Sequence, residues 1–243
     1  MKLYHGTTEA IARLALTDGL LPRGESGVET QWPDCPSRED MVYLTTAYAP
    51  YFAVCATKEV GERLGIVEID TELLYDDHET ENGLEDYLHP DEDFLEQATR
   101  SPESGPHLAP FEADMHERTA FYRERLEGFQ QHWTDSIQGL GNCAVLGGVP
   151  YECVTRIALV DPRKAPHVLQ IAMDPCITLM NYQICGNKYR RLTDWLFGAE
   201  ITPADLMFFD HPDWPDELRE GAKRMEKILQ NRDGVEILDA VAA

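Results

Sequence analysis

The hydrophobic pattern divides the chain into short strand-like runs separated by helical ones. Residues 2–6 read as a strand ending on a glycine. Thr7 or Thr8 then caps a helix whose apolar positions Ile11, Leu14 and Ala15 recur close to helical spacing. Asp18-Gly19 stops that helix, and Leu20-Leu21-Pro22-Arg23 follows as an extended piece. A polar loop over 24–40 leads to a second strand, Val42-Tyr43-Leu44-Thr45. Residues 46–58 read as helical, with Ala47, Tyr51, Val54 and Cys55 on one face, and Pro50 fits only near the helix start. A third strand covers 64–69.

Beyond residue 70 the pattern changes. Residues 71–127 hold 17 acidic and 4 basic residues and prolines at 90, 102, 106 and 110, so 71–111 reads as an inserted, partly loop-like excursion whose charge forms a solvated face. Helical spacing returns over 112–132, through Met115, Thr119, Tyr122, Leu126 and Phe129. Strand signals resume at 143–146 and at 154–160, where β-branched alternation is strong. From about 165 the chain reads as helical, over 187–198, 203–208 and 215–231. The expected organisation is a core over 1–164 that contains an acidic insertion at 71–132. A mostly helical extension over 165–243 packs on it, because Trp195, Leu196, Phe197, Met207, Phe208 and Phe209 would otherwise be exposed.

Composition narrows the function classes. A net charge of −23 over 243 residues repels phosphate backbones and anionic membranes, which weighs against broad nucleic-acid binding. The six cysteines are scattered without a Cys-x-x-Cys pair, and the start has no charged segment followed by an apolar one, so a cytoplasmic protein with reduced thiols is expected. No run approaches the length a membrane helix needs. The P-loop, Gly-x-Gly-x-x-Gly, Gly-x-Ser-x-Gly and His-Glu-x-x-His motifs are absent, and the histidines are too spread to suggest a metal site.

One ordered series carries chemistry. Leu3-Tyr4-His5-Gly6-Thr7-Thr8, an amphipathic helix, a Gly-Leu-Leu-Pro-Arg exit, Val42-Tyr43-Leu44-Thr45-Thr46 and later Gly147-Gly148-Val149-Pro150-Tyr151-Glu152 resemble the ADP-ribosyltransferase superfamily. More narrowly, they resemble the diphtheria-toxin and poly-ADP-ribose-polymerase branch, with its His, Tyr, Glu signature. The resemblance covers about residues 1–70 and 133–162. It implies an α+β fold: a split antiparallel β core with flanking helices, to which the acidic insertion and helical C-terminal extension are added. It also implies NAD⁺ as substrate and a macromolecular acceptor for ADP-ribose, a protein sooner than a nucleic acid at this charge, as in toxins and phage effectors.

The implied roles follow residue by residue. His5 hydrogen-bonds a ribose hydroxyl. Gly6 lets the backbone approach the nicotinamide carboxamide, with the Thr7 hydroxyl nearby. Tyr43 stacks on the nicotinamide ring, Tyr51 or Tyr48 covers its other side, and Arg23 contacts the pyrophosphate. Glu152 is the implied catalytic acid, stabilising charge that develops only in an oxocarbenium-like transition state, with Glu68 and Asp70 as rivals. Pro150 stands two residues before Glu152, where arginine-modifying members carry Gln or Glu, which argues against arginine as acceptor. Three alternatives remain at this stage: NAD⁺-dependent RNA 2′-phosphotransfer, NAD⁺ hydrolysis, and a non-catalytic acidic binding protein or nucleic-acid decoy.

Overall fold

The computed structural model describes residues 1–30, 36–75, 87–98, 113–125, 132–173, 182–202, 226–227 and 229–240. In chain order the strands are β1 (Lys2–Thr8), β2 (Met41–Thr45), β3 (Leu64–Asp70), β4 (Leu88–Pro90), β5 (Asn142–Leu146), β6 (Val154–Val160) and β7 (Val235–Asp239). The helices are α1 (Glu9–Asp18), α2 (Arg23–Ser26), α3 (Ala49–Ala56), α4 (Glu92–Ala98), α5 (Met115–Arg125), α6 (Trp133–Leu140), α7 (Pro166–Ala172) and α8 (Tyr182–Leu196). The class is α+β. The seven strands found among the described residues join one antiparallel sheet in the order β4-β5-β2-β1-β3-β6-β7.

The sheet is two half-sheets with a thin seam. β1 pairs with β3 along its whole length, from Lys2 opposite Asp70 to Thr8 opposite Leu64. β2 pairs with β5 over all five of its residues. Between β1 and β2 the ladder holds one residue pair, Tyr4 opposite Thr45. Residues 5–8 of β1 and 41–44 of β2 are therefore neighbours in the sheet order without a backbone ladder between them.

Alternation along the strands sends side chains to two cores. Leu3, Val67, Ile69, Val42, Leu44, Cys143, Val145, Ile157 and Leu159 join Ala12 and Ala15 of α1 and Trp133 and Ile137 of α6 on one face. Tyr4, Leu64, Ile66, Ala158 and Val160 join Ala49 and Ala53 of α3, Val168 of α7 and Leu192 and Trp195 of α8 on the other. Burying a large apolar side chain contributes about 1.5–3 kcal/mol, so each core holds its helices firmly.

Local signals explain the boundaries. The Thr8 hydroxyl accepts from the Ile11 N–H to cap α1, and Gly19 ends it at φ +77°. That glycine is required twice over, because a Cβ there would also stand 2.2 Å from the Val149 carbonyl. Leu20 and Val149 exchange backbone hydrogen bonds of 2.8 Å, which ties the Gly-Leu-Leu-Pro exit to the Gly-Gly-Val-Pro segment.

Three expectations are revised. The acidic stretch is not wholly a solvated excursion: Leu88–Pro90 forms the edge strand beside β5, and Asp91 and Glu92 are buried. Helix α6 lies between the acidic stretch and β5. The C-terminal segment returns to the sheet as β7, paired with β6 from Arg156 opposite Asp239 to Val160 opposite Val235, where only helix was expected. Trp195, Leu196 and Phe197 are buried as anticipated, and Met207, Phe208 and Phe209 lie outside the described residues.

Candidate functional site

His5 and Tyr43 meet at the seam. The His5 Nδ1 lies 2.9 Å from the Tyr43 carbonyl oxygen, so a side chain crosses where the backbone ladder has stopped. A carbonyl only accepts, so Nδ1 carries the proton and Nε2 is left as an acceptor. Burial pushes the His5 pKa below its ordinary value against the opposing pull of the Tyr43 carbonyl, so the ring is neutral near pH 7. The contact runs through the Tyr43 backbone. Pairing of Tyr4 with Thr45 puts the Tyr43 side chain on the face of Tyr4, and alternation puts His5 on the other.

The Tyr43 phenol turns back over the segment that precedes β2. Its hydroxyl accepts from the Arg38 N–H at 3.3 Å. Arg38 in turn binds Asp40 through Nε at 2.9 Å, which holds the Asp40 carboxyl below its usual range. Glu92, at the start of α4, is the carboxyl that acts on this phenol. Burial, then the Glu92 charge, raises the Tyr43 pKa, so the phenol stays protonated.

The remaining predicted residues sit as follows. Gly6 faces α3: a Cβ there would stand 2.0 Å from the Ala49 carbonyl oxygen and 2.6 Å from the Ala53 nitrogen. The glycine thus seats the helix that carries Tyr51. Thr7 is buried opposite Gly65. Tyr51 is half-buried, edge-on to Phe52, and its hydroxyl lies beside the Cys55 thiol. Tyr48 is fully buried against Tyr189 of α8, at 5.5 Å between ring centres. Arg23 donates to the Ser37 carbonyl at 3.0 Å and to Glu39 at 3.2 Å, pinning the segment that leads to Tyr43.

Glu152 stands apart from these residues. It is exposed in a 3-10 turn, Tyr151–Cys153, ahead of β6, with the Tyr151 hydroxyl as its neighbour. Val154 is opposite Ile69, and Ile69 is opposite Leu3. Two strand spacings across and some four residues along then put Glu152 roughly 15 Å from His5. Its rival Glu68 is 2% exposed and fully engaged: Arg156 grips it with bonds of 3.0 and 2.6 Å, Thr155 donates at 2.6 Å and Lys2 lies at 3.4 Å. Burial pushes the Glu68 carboxyl up, but these partners outweigh it and leave it below the ordinary range. Asp70 is likewise held by Lys2 and the Met1 ammonium.

The carboxyl that acts on Tyr43 is Glu92, buried within the stretch whose charge is expected to form a solvated face. The signal that points to it is a helix start: Asp91 caps the Asp93 N–H at 2.8 Å, and Phe94-Leu95 follow at helical spacing. Among the described residues no group of His, Cys, Asp and Glu could hold a metal ion, and no helix is long and apolar enough to cross a membrane. No family model, no curated protein and no solved structure matches the chain.

Proposed function

We propose that this protein is a cytoplasmic NAD⁺-consuming enzyme of the ADP-ribosyltransferase kind, transferring ADP-ribose to a macromolecular acceptor, with a protein favoured over a nucleic acid. One observation carries the reading: His5 and Tyr43 sit on adjacent central strands at the one place where the sheet is split. NAD⁺ lying across that unpaired stretch has a neutral His5 whose Nε2 can accept from a ribose hydroxyl. At the same seam, on the other face of the sheet, it has the part-buried Tyr43 ring as a partner for the cationic nicotinamide. The link between Leu20 and Val149 supports the same reading, because it binds together two separate parts of the series that carries the resemblance. On this reading Gly6 acts by seating α3 and Arg23 by fixing the entry to β2, both indirectly.

The test is NAD⁺ binding by calorimetry and nicotinamide release. Wild type is expected to bind and to release nicotinamide. Tyr43→Ala weakens binding about tenfold through lost stacking, and His5→Ala does so by a similar factor through one lost hydrogen bond. Wild-type protein that neither binds NAD⁺ nor releases nicotinamide would sink the proposal.

A further inference from the structure

We infer that Glu92 is a positioning residue for Tyr43, acting on the phenol together with the Arg38 N–H, and that the site depends on this carboxyl and not on Glu152. The inference rests on the reading of Tyr43 as part of the NAD⁺ site, but its first test does not.

Glu92 is 1% exposed, yet only one of its oxygens is accounted for by hydrogen-bond geometry. Oε1 accepts from the Thr119 hydroxyl of α5 at 3.2 Å. Oε2 is buried and has no hydrogen-bond partner at standard distance and angle, and the Tyr43 phenol is among the groups that act on this carboxyl. A buried carboxylate oxygen left bare is strongly disfavoured, so an oxygen in this position draws on whichever donor can reach it, and the phenol is the candidate.

The position of Glu92 is built and not incidental. The Asp91 N–H donates to the Ser136 hydroxyl of α6 at 3.0 Å, and that hydroxyl donates to the Asn142 carbonyl of β5 at 2.8 Å. The turn from β4 into α4 is thereby fixed to the strand that pairs with β2. From the other side, Arg118 of α5 binds Glu96 of α4 at 2.7 Å, so two helices close over the carboxyl.

The charges around the pair come from every neighbouring element. Arg38 and Asp40 precede β2, Asp91 and Asp93 flank Glu92 on α4, and Arg123 and His116 stand on α5, with His116 3.9 Å from Asp40. Burial raises the Glu92 pKa above the ordinary carboxylate range, against the pull of Tyr43, Arg38 and Thr119. When ionised, the carboxylate accepts the phenol proton in a hydrogen bond and the Tyr43 ring is held with one orientation of its face. When protonated, the carboxyl is a weaker acceptor and can itself donate to the phenol oxygen, so the hydrogen bond is free to change direction.

Two measurements test this. In ligand-free protein carrying ¹³Cζ-tyrosine, the Tyr43 resonance, assigned with Tyr43→Phe, is expected to move with pH through an inflection above the ordinary carboxylate range. Glu92→Gln should remove that inflection. A wild-type Tyr43 signal with no such inflection overturns the inference whether or not NAD⁺ binds. In turnover, Glu92→Gln keeps KM for NAD⁺ within about twofold and loses the acid limb of the kcat profile, because an amide oxygen still accepts from the phenol but cannot titrate. Glu92→Ala raises KM about tenfold by freeing the ring. Glu152→Gln leaves both unchanged. Nicotinamide release that survives both Glu92 variants and collapses in Glu152→Gln would overturn the inference while leaving the proposed activity standing. If Glu92→Ala does not fold, the Gln variant decides alone.

Discussion

At the scale of single residues, the most informative group is the imidazole of His5, because its partner dictates its chemistry. With Nδ1–H bound to a carbonyl, the ring is neutral and offers one acceptor. Its depressed pKa has a thermodynamic consequence. A base whose folded pKa lies below its unfolded value binds fewer protons when folded, so its contribution to stability is complete above about 6.5 and is lost as pH falls below it. Thermal unfolding of wild type and His5→Asn across pH 5–8 should therefore diverge: wild type loses melting temperature relative to the variant as pH drops. Parallel curves would show that the ring is not held neutral. Glu92 has the opposite sign, since a carboxyl with a raised folded pKa contributes stability that fades as pH rises through that value.

Residues of this kind were only partly legible in the sequence. His5 and Tyr43 stand out because a glycine and a threonine follow the histidine and an apolar strand surrounds the tyrosine. Glu92 does not, because one carboxylate among 17 in an acidic stretch looks like its neighbours until α5 and α6 close over it. Glu152 has the converse fault: its local sequence fits a strand entrance, but register places it two strands away from His5 and beyond the start of β6.

Elements with strong local signals were read almost to the residue. β6 covers Val154–Val160 as its alternation indicates, and β3 runs one residue beyond the expected span. β4 escaped because it has three residues, ends on proline and exists through pairing with β5. α6 escaped because its eight residues include Gly139 and its N-terminus is closed by His132 and Asp135 instead of a common cap. The contact of α3 with β1 shows what a glycine does between elements. An alanine at position 6 must push back the Ala49 carbonyl and the Ala53 nitrogen, both backbone atoms that cannot swing aside. Gly6→Ala is expected to cost about 3 kcal/mol, which for a chain of this size lowers the melting temperature by roughly 6–12 °C. Scanning calorimetry measures it, and an unchanged midpoint would mean that the helix is not seated as described. The loss should be the same with and without NAD⁺ in the buffer if Gly6 acts only through α3.

Across the whole molecule, the topology places the first strand of the chain at the centre of the sheet and its last described strand at one edge. The net charge of −23 keeps such a surface dispersed, but charge does little for an uncovered strand edge, which presents unpaired N–H and C=O groups. β6 is apolar and β-branched, and among the described residues the strand that covers its outer side is β7. Removing residues 235–243 should leave the half-sheet of β1, β3 and β6 in place and convert a monodisperse protein into one that self-associates. Light scattering before and after the truncation reads this directly, and an unchanged particle size would show that the β6 edge is protected by other means.

The thin seam between β1 and β2 is the least hydrogen-bonded joint of the sheet. One backbone pair and one histidine side chain span it, and the core shared by Leu3, Val42, Leu44 and Val67 holds the two half-sheets together. A ligand bridging that seam would act as a splint. Amide exchange across β1 and β2 would then slow on binding, while exchange deep in the β3–β6 ladder would stay as it was.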